Sequence, residues 1–186
     1  MAAPVPLQPS LWRTCRVLAN RTRLQILQLL LEQPGLGVSA VARRLGFTVP
    51  VASQSLRALE ARGLLRARRV GRRVTYRPAT DAASPRSSLV VALRRMFQSE
   101  PAPGEAIFKL ATAFTHPRRI ELFRAVHKRA GTPADLRAIT GMSRRAMERH
   151  RRKLAARGFL TNQEGKWSVV PRGDAVGREL TRLAAG

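Results

Sequence analysis

The chain contains the same unit twice. Displacing the sequence by 96 positions sets Leu11-Trp12-Arg13 on Ile107-Phe108-Lys109, Val17-Leu18 on Ala113-Phe114, Arg23-Leu24 on Arg119-Ile120 and Ile26-Leu27 on Leu122-Phe123. After one deletion the displacement becomes 95, and Gly46-Phe47-Thr48 meets Gly141-Met142-Ser143, while Ala61-Arg62-Gly63-Leu64-Leu65 meets Ala156-Arg157-Gly158-Phe159-Leu160. Matches that stay co-linear over about 60 residues mark a duplication. Each copy is then one structural unit that must bury its apolar face within itself or against its neighbour. With 186 residues the chain has room for two small domains with thin cores.

Each copy reads as four helices and a hairpin. A first helix (about 10–19, and 105–114) precedes a second one capped by Asn20 in the first copy. Pro117 opens that second helix in the second copy, where its missing N–H does no harm. Leu24, Leu27, Leu30 and Leu31 form an apolar stripe with Ile26 at its edge. Gly35 and Gly131 mark the stop. A short third helix (about 38–45, and 133–140) turns at Gly46 or Gly141 into a fourth, capped by Thr48 or Ser143 and closed by Gly63 or Gly158. In that fourth helix Val51, Ala52, Leu56 and Leu59 form the predicted core face. After Gly63 the period becomes two: Val74 and Tyr76 face one way, Arg73, Thr75 and Arg77 the other, in a hairpin turning near Gly71. The second hairpin turns at Asn162–Gly165. Helices followed by such a hairpin make a winged helix. The predicted fold is therefore mostly α with small β-hairpin wings, two tandem winged helix-turn-helix domains at 1–80 and 104–171. Between them lies a connector, 81–103, with a helix near 87–98, and a C-terminal helix or tail follows at 172–186.

Charge narrows the partner. There are 35 Lys and Arg against 11 Asp and Glu, a net charge of +24. Residues 1–80 hold 14 Arg against Glu32 and Glu60, residues 81–105 are neutral, and residues 106–171 carry 15 basic against 4 acidic side chains. Two basic blocks interleaved with Leu, Val and Ala at helical spacing are unlike a disordered basic tail, and they attract polyanions. Nucleic acid is the expected partner. No run approaches 18 uncharged apolar residues, so no membrane span is expected. The start, Met1-Ala-Ala-Pro-Val-Pro, has no secretory pattern, which places the expected location in the cytoplasm. Cys15 is the single cysteine, so neither an intrachain disulfide nor a four-thiolate zinc site is possible. It lies with Leu11, Trp12 and Leu18 on an apolar face and reads as a packing residue. No P-loop, Rossmann glycine run or nucleophile–base motif is present, so no enzyme and no cofactor are expected.

Three runs resemble the ArsR family of bacterial winged-helix repressors: Leu18-Ala19-Asn20-Arg21-Thr22-Arg23-Leu24-Gln25-Ile26-Leu27, Val41-Ala42-Arg43-Arg44-Leu45-Gly46-Phe47-Thr48, and Leu56-Arg57-Ala58-Leu59-Glu60-Ala61-Arg62-Gly63-Leu64-Leu65. The resemblance covers residues 10–79. The family's usual Pro is Arg21 here and Pro117 in the second copy. In the fourth helix Val49 and Ser55 replace a usual Gln and His, whereas Arg149-His150 keeps the family's Arg-His pair and implies that His150 touches DNA. The resemblance implies a dimeric transcriptional repressor whose DNA affinity is set by an effector. The family's familiar metal sites would fall in 38–45 and 87–98, but the first lacks Cys, His, Asp and Glu, and the second lacks His and Asp. A metal sensor using those sites is excluded, and no metal ligand set is expected.

The candidate site residues follow from the docking of such a unit. The major groove admits one helix, whose N-terminal half reaches base edges while flanking groups hold phosphates. In the first copy Thr48, Val49, Pro50, Ser53, Gln54 and Arg57 face outward. Gln54 suits adenine, Ser53 several bases, and Arg57 a phosphate, with Arg43 and Arg44 on the backbone. Arg68, Arg69, Arg72 and Arg73 surround the wing tip and suit phosphate and minor-groove contact. In the second copy Ser143, Arg144, Arg145, Glu148, Arg149 and Arg152 line the corresponding face, with Arg145 or Arg149 suited to guanine. Arg151 stands where the first copy has the core residue Leu56, which predicts a different rotation of that helix. The expected function is a sequence-specific transcriptional regulator that binds double-stranded DNA, a repressor as the family resemblance implies, with an architectural, weakly specific DNA-binding protein as the alternative. The two copies are expected to pack as an intramolecular pseudo-dimer. A homodimer through Leu11, Trp12, Leu18 and the 89–97 helix is the other arrangement.

Overall fold

A computed structural model of the chain describes residues 10–81, 84, 86–129 and 131–186. The first half comprises α1 (Leu11–Leu18), α2 (Arg21–Glu32), β1 (Leu36–Gly37), α3 (Val38–Leu45), α4 (Val49–Glu60), β2 (Leu65–Val70) and β3 (Arg73–Pro78). Helix α5 (Ser87–Ser99) leads to α6 (Pro103–Ala113), α7 (Pro117–Lys128), α8 (Pro133–Thr140), α9 (Arg144–Ala155), β4 (Leu160–Gln163) and β5 (Lys166–Val169), and α10 (Ala175–Ala185) follows. The fold is mostly helical with small antiparallel hairpins, and the order of helices and hairpin is the same in both halves.

Local chemistry sets the boundaries. The Asn20 side chain accepts from the Arg23 N–H at 3.0 Å and starts α2. At the matching place His116 caps α7, its Nδ1 accepting from the Arg118 N–H at 3.2 Å. Helices α4 and α9 end alike. Gly63 (φ +68°) donates to the Glu60 carbonyl at 2.8 Å and Leu64 to the Leu59 carbonyl at 3.1 Å; Gly158 (φ +70°) and Phe159 repeat the pair on Ala155 and Leu154. This pair of hydrogen bonds satisfies the last carbonyls and requires a left-handed residue, for which glycine has no steric penalty. Thr48, expected to cap α4, makes no side-chain cap hydrogen bond, whereas Ser143 caps α9 by accepting from the Ala146 N–H at 3.3 Å.

The sheet holds one element the residue pattern does not reveal. β1 pairs antiparallel with β3, Leu36 opposite Tyr76 and Gly37 opposite Thr75, giving the order β1-β3-β2. Two residues are too few to show alternation. The second half keeps a remnant of this pairing, with Gly131 and Trp167 exchanging backbone hydrogen bonds of 3.2 and 2.9 Å. Both hairpins turn where expected: β2 and β3 run in register from Leu65↔Pro78 to Val70↔Arg73 around Gly71-Arg72, and β4 and β5 pair around Glu164-Gly165.

Burial corrects several face assignments. On α2, Ile26 is fully buried and central, and Leu31 lies at the margin of the core. On α4, Ala52, Ser55, Leu56 and Leu59 face inward, while Val51 is 41% exposed. Helix α9 buries Met147, His150 and Leu154, the equivalents of Ala52, Ser55 and Leu59 at a displacement of 95. The rotation expected from Arg151 is therefore absent. Arg151 stays in register because its guanidinium lies 4.0 Å over the Trp167 ring and pairs with Glu148.

One core runs through both halves. Helix α1 packs on α6, the first helix of the second half, and α5 packs on α10, each of which follows a wing. Helix α6 also touches α2 and α5, and α10 touches α7. Leu11, Cys15 and Leu18 of α1, Leu89, Val90 and Leu93 of α5, Ile107 and Ala111 of α6, and Val176 and Leu180 of α10 are all buried. Polar contacts join the same elements. Arg21 pairs with Glu105 at 2.9 Å and lies 4.4 Å over the Phe108 ring, and Ser88 donates to Glu179 at 2.6 Å. Among the described residues no helix is long and apolar enough to cross a membrane.

Candidate nucleic-acid interface

The first half presents three neighbouring basic or polar surfaces: the end of α3, the outer face of α4 and the β2–β3 wing. Arg43 is exposed at the end of α3, and Arg44 beside it donates to the Gln33 side chain. On α4, Thr48, Val49, Pro50, Gln54 and Arg57 are exposed and Ser53 is half-buried. Two of these residues are occupied with each other, since Arg57 donates to the Ser53 hydroxyl at 3.1 Å. Among the described residues nothing engages the Gln54 amide. Val49, 51% exposed, and Val51 give the first turn of α4 an apolar surface in water. Val51 was expected in the core. Its position in the first helical turn, where fewer neighbours cover a side chain, is the signal that separates it from Ala52. On the wing Arg68, Arg69, Val70, Arg72 and Arg73 are all exposed around Gly71. Gly71 (φ +58°) stands at the first loop position, where the tight hairpin turn requires positive φ.

The second half builds its surface differently. Ser143, Arg144, Arg145, Arg149 and Arg152 are exposed along α9. Ser143 is engaged in the cap. Glu148 accepts from Arg152 at 2.9 Å and from Arg151, and these hydrogen bonds hold its carboxyl below the usual carboxylate range. Among the described residues Arg144, Arg145 and Arg149 donate no hydrogen bond, which leaves three guanidiniums facing solvent on one helix. Other basic side chains turn inward. Arg119 donates to the Thr112 and Ala113 carbonyls at 2.6 and 2.9 Å, closing the end of α6, and Arg157 donates to the Thr112 hydroxyl at 2.8 Å. At α8 the places of Arg43 and Arg44 are taken by Ala138 and Ile139, the latter 62% exposed. The second wing has Glu164 at its turn.

His150 is a correction to the expected DNA contact. It is 3% exposed, its Nδ1 has no hydrogen-bond partner among the described residues, and its ring centroid lies 4.7 Å from that of His116. Burial, together with His116 and the cations Arg119, Arg149 and Arg118, holds its pKa down at about 4. The same burial and arginines lower His116, whose capping role also needs an unprotonated Nδ1. This pair holds the underside of α9 as neutral rings. His127 stacks on Phe123 at 6.1 Å instead of joining them.

Cys15 is fully buried, and that burial pushes its thiol up to about 12 against the opposing pull of Arg86. No group of three His, Cys, Asp or Glu side chains gathers as metal ligands among the described residues.

Two family models match the chain in separate places. Residues 20–66, from the cap of α2 into β2, match the family described as winged helix-turn-helix DNA-binding. Residues 109–186 match the family described as HVO_A0261 N-terminal domain. A 69-residue stretch is 45% identical to the HTH-type transcriptional regulator Rv0324 of Mycobacterium tuberculosis. That stretch is 37% of this chain and 30% of the relative, so the chain matches less than a third of the relative's length. No solved structure matches the chain.

Proposed function

We infer that the chain is a cytoplasmic double-stranded DNA-binding transcriptional regulator, a repressor of ArsR type built from two tandem winged-helix copies. The observation that carries this reading is the outer face of α4. Among the described residues its first turn and Gln54 have no side-chain partner, and neither do the exposed arginines Arg43, Arg69, Arg72 and Arg73 on α3 and the wing of the same unit. The segment from Asn20 to Arg66 matches a model described as DNA-binding, and the related regulator of M. tuberculosis carries the same function in its name. The domains are 1–80 and 104–171, with 81–103 as the connector. The chain works as a binding protein and not as an enzyme.

The two copies dock on DNA as an intramolecular pseudo-dimer. This is supported by the pairing of α1 with α6 and of α5 with α10, which buries Leu11, Leu18, Leu89, Val90 and Leu93 inside one chain. These are the surfaces a homodimer of first copies needs. Recognition helices α4 and α9 then address successive major grooves, about 34 Å apart on one face of the duplex. Sedimentation equilibrium combined with footprinting tests the reading. The expected result is a monomer of 20.6 kDa that protects one non-palindromic site. A stable dimer on a palindrome overturns the pseudo-dimer, and failure to retain duplex DNA overturns the function.

The spread of positive charge over both halves favours a second reading, an architectural protein indifferent to sequence. A specific-to-nonspecific affinity ratio below about 10³ decides for it.

A further inference from the structure

We propose that the two recognition helices read opposite classes of base pair, α4 an A·T segment and α9 a G·C segment of one asymmetric site. This rests on the DNA-docking reading above and states what that docking selects.

Helices α4 and α9 bury equivalent positions, so a displacement of 95 also aligns their outer faces. Both faces tie up one residue in the same way. Ser53 accepts from Arg57, and at the equivalent positions Glu148 accepts from Arg152. That i, i+4 pair withdraws a potential base reader from each helix. What remains exposed and, among the described residues, uncommitted is Val49, Pro50, Val51 and Gln54 on α4, against Arg144, Arg145 and Arg149 on α9.

These two sets match different edges. Adenine offers N7 and N6 to a carboxamide, and its partner thymine projects a C5 methyl into the major groove that an apolar side chain can cover. Gln54 supplies the carboxamide. The valines, half-exposed in the free protein, have apolar surface to remove from water against that methyl. Guanine offers O6 and N7, two acceptors spaced for one guanidinium. Arg149 occupies the position of Gln54, and Arg145 that of Pro50. The Glu148 carboxylate, held by two arginines, is withdrawn from cytosine's amino group.

The test starts from selection of duplexes out of a random pool with the full chain. The selected duplexes should combine one A·T segment with one G·C segment. Replacing thymine by uracil removes only the C5 methyl, and each such replacement in the A·T segment should weaken binding about fourfold. Replacing guanine by 7-deazaguanine removes one acceptor of the bidentate pair and should weaken binding about fivefold or more in the G·C segment. The uracil effect should vanish in Val49→Ser, Val51→Ser double-substituted protein, and the deazaguanine effect should vanish in Arg145→Ala, Arg149→Ala double-substituted protein. All these positions are exposed, so the fold tolerates the changes. Selected sites with the same base pairs in both halves, or tight binding indifferent to uracil, overturn the proposal while leaving DNA binding intact. A chain that retains no duplex at all defeats both.

Discussion

The guanidinium of Arg151 lies 4.0 Å above the ring of Trp167, so a charged residue on the inner margin of α9 is shielded by an aromatic from β5. Its side chain is only 17% exposed and pairs with Glu148. Helix and wing of the second half are thereby clamped together at a place where the first half uses Leu56. Arg151→Ala should remove the clamp and lower stability by about 1–2 kcal/mol. Arg151→Leu restores an apolar contact without a charge to desolvate, and its loss should be smaller or absent. Urea unfolding in the Trp12→Phe background, followed by Trp167 fluorescence, measures both; equal losses for the two variants would show that the stack itself is required.

The neutral histidine pair makes stability depend on acid. His150 has a folded pKa near 4 and an ordinary value of 6.5 when unfolded. Above 6.5 neither state is protonated and the pair has no effect. As pH falls from 6.5 towards 4 the unfolded chain takes up a proton that the folded chain refuses, so stability drops; below 4 both states are protonated and the loss is complete. At about 1.4 kcal/mol per pKa unit, the loss across this window is roughly 3–4 kcal/mol. It should be missing from His150→Leu when the two proteins are compared by urea unfolding at pH 7 and pH 4.5. Parallel pH dependence in both proteins would assign the acid sensitivity elsewhere.

The periodicity of the residues made most of this architecture legible, because each boundary has a local cause. Asn20, Gly63 and Gly158 act where they stand, and turns at Gly71 and Gly165 follow from backbone conformation alone. Features that depend on tertiary neighbours were illegible. β1 is too short to show a period and exists because Tyr76 and Thr75 lie opposite it. Arg151 looked incompatible with the core because nothing local announces that Trp167 covers it. His150 resembled a DNA contact by its place in a motif, yet the α9 rotation that buries Met147 and Leu154 buries it too. At the candidate site the residue types were readable, while the pairs Ser53–Arg57 and Glu148–Arg152, which decide which of them are free, were not.

Cys15 should behave as a packing residue. Its thiol is completely buried and its pKa is near 12, so the reactive thiolate is scarce at neutral pH. A disulfide reagent should label it only at the rate at which the chain opens, and label it fully in urea. For the same reason zinc, cadmium or arsenite at micromolar concentration should not release bound DNA, since α3 carries no metal-ligating side chain. Release by metal that disappears in Cys15→Ser would reverse this expectation.

If both copies engage one duplex through about 8–10 phosphates, log K against log salt should fall with a slope near −7 to −9. Arg72→Ala with Arg73→Ala should weaken all sequences alike and make the slope shallower by about 2, because wing contacts to phosphate carry no sequence information. Gln54→Ala should instead leave the slope in place and flatten the ranking of sites. A wild-type slope shallower than about −4 would mean that only one copy docks.

The chain carries two tryptophans, and they report on different halves: Trp12 on α1 and Trp167 on β5. If the halves were separate folding units joined by a loose connector, the two probes would follow two transitions. The core argues otherwise. Helix α5 leaves the first half, yet buries Leu89, Val90 and Leu93 where it packs on α10 and α6, while α1 packs on α6. Unfolding one half would expose the inner faces of these helices in the other. Trp12→Phe and Trp167→Phe proteins should therefore show coincident urea transitions, the signature of a single cooperative unit. Leu93→Ala, a buried change at this shared packing, should cost about 2–5 kcal/mol and shift both probes together. Arg21→Ala removes an exposed ion pair between the halves and should cost less than about 1 kcal/mol. Were Leu93→Ala to move the Trp12 transition and leave that of Trp167 unchanged, the halves would be energetically independent, and the shared core would not couple α4 to α9.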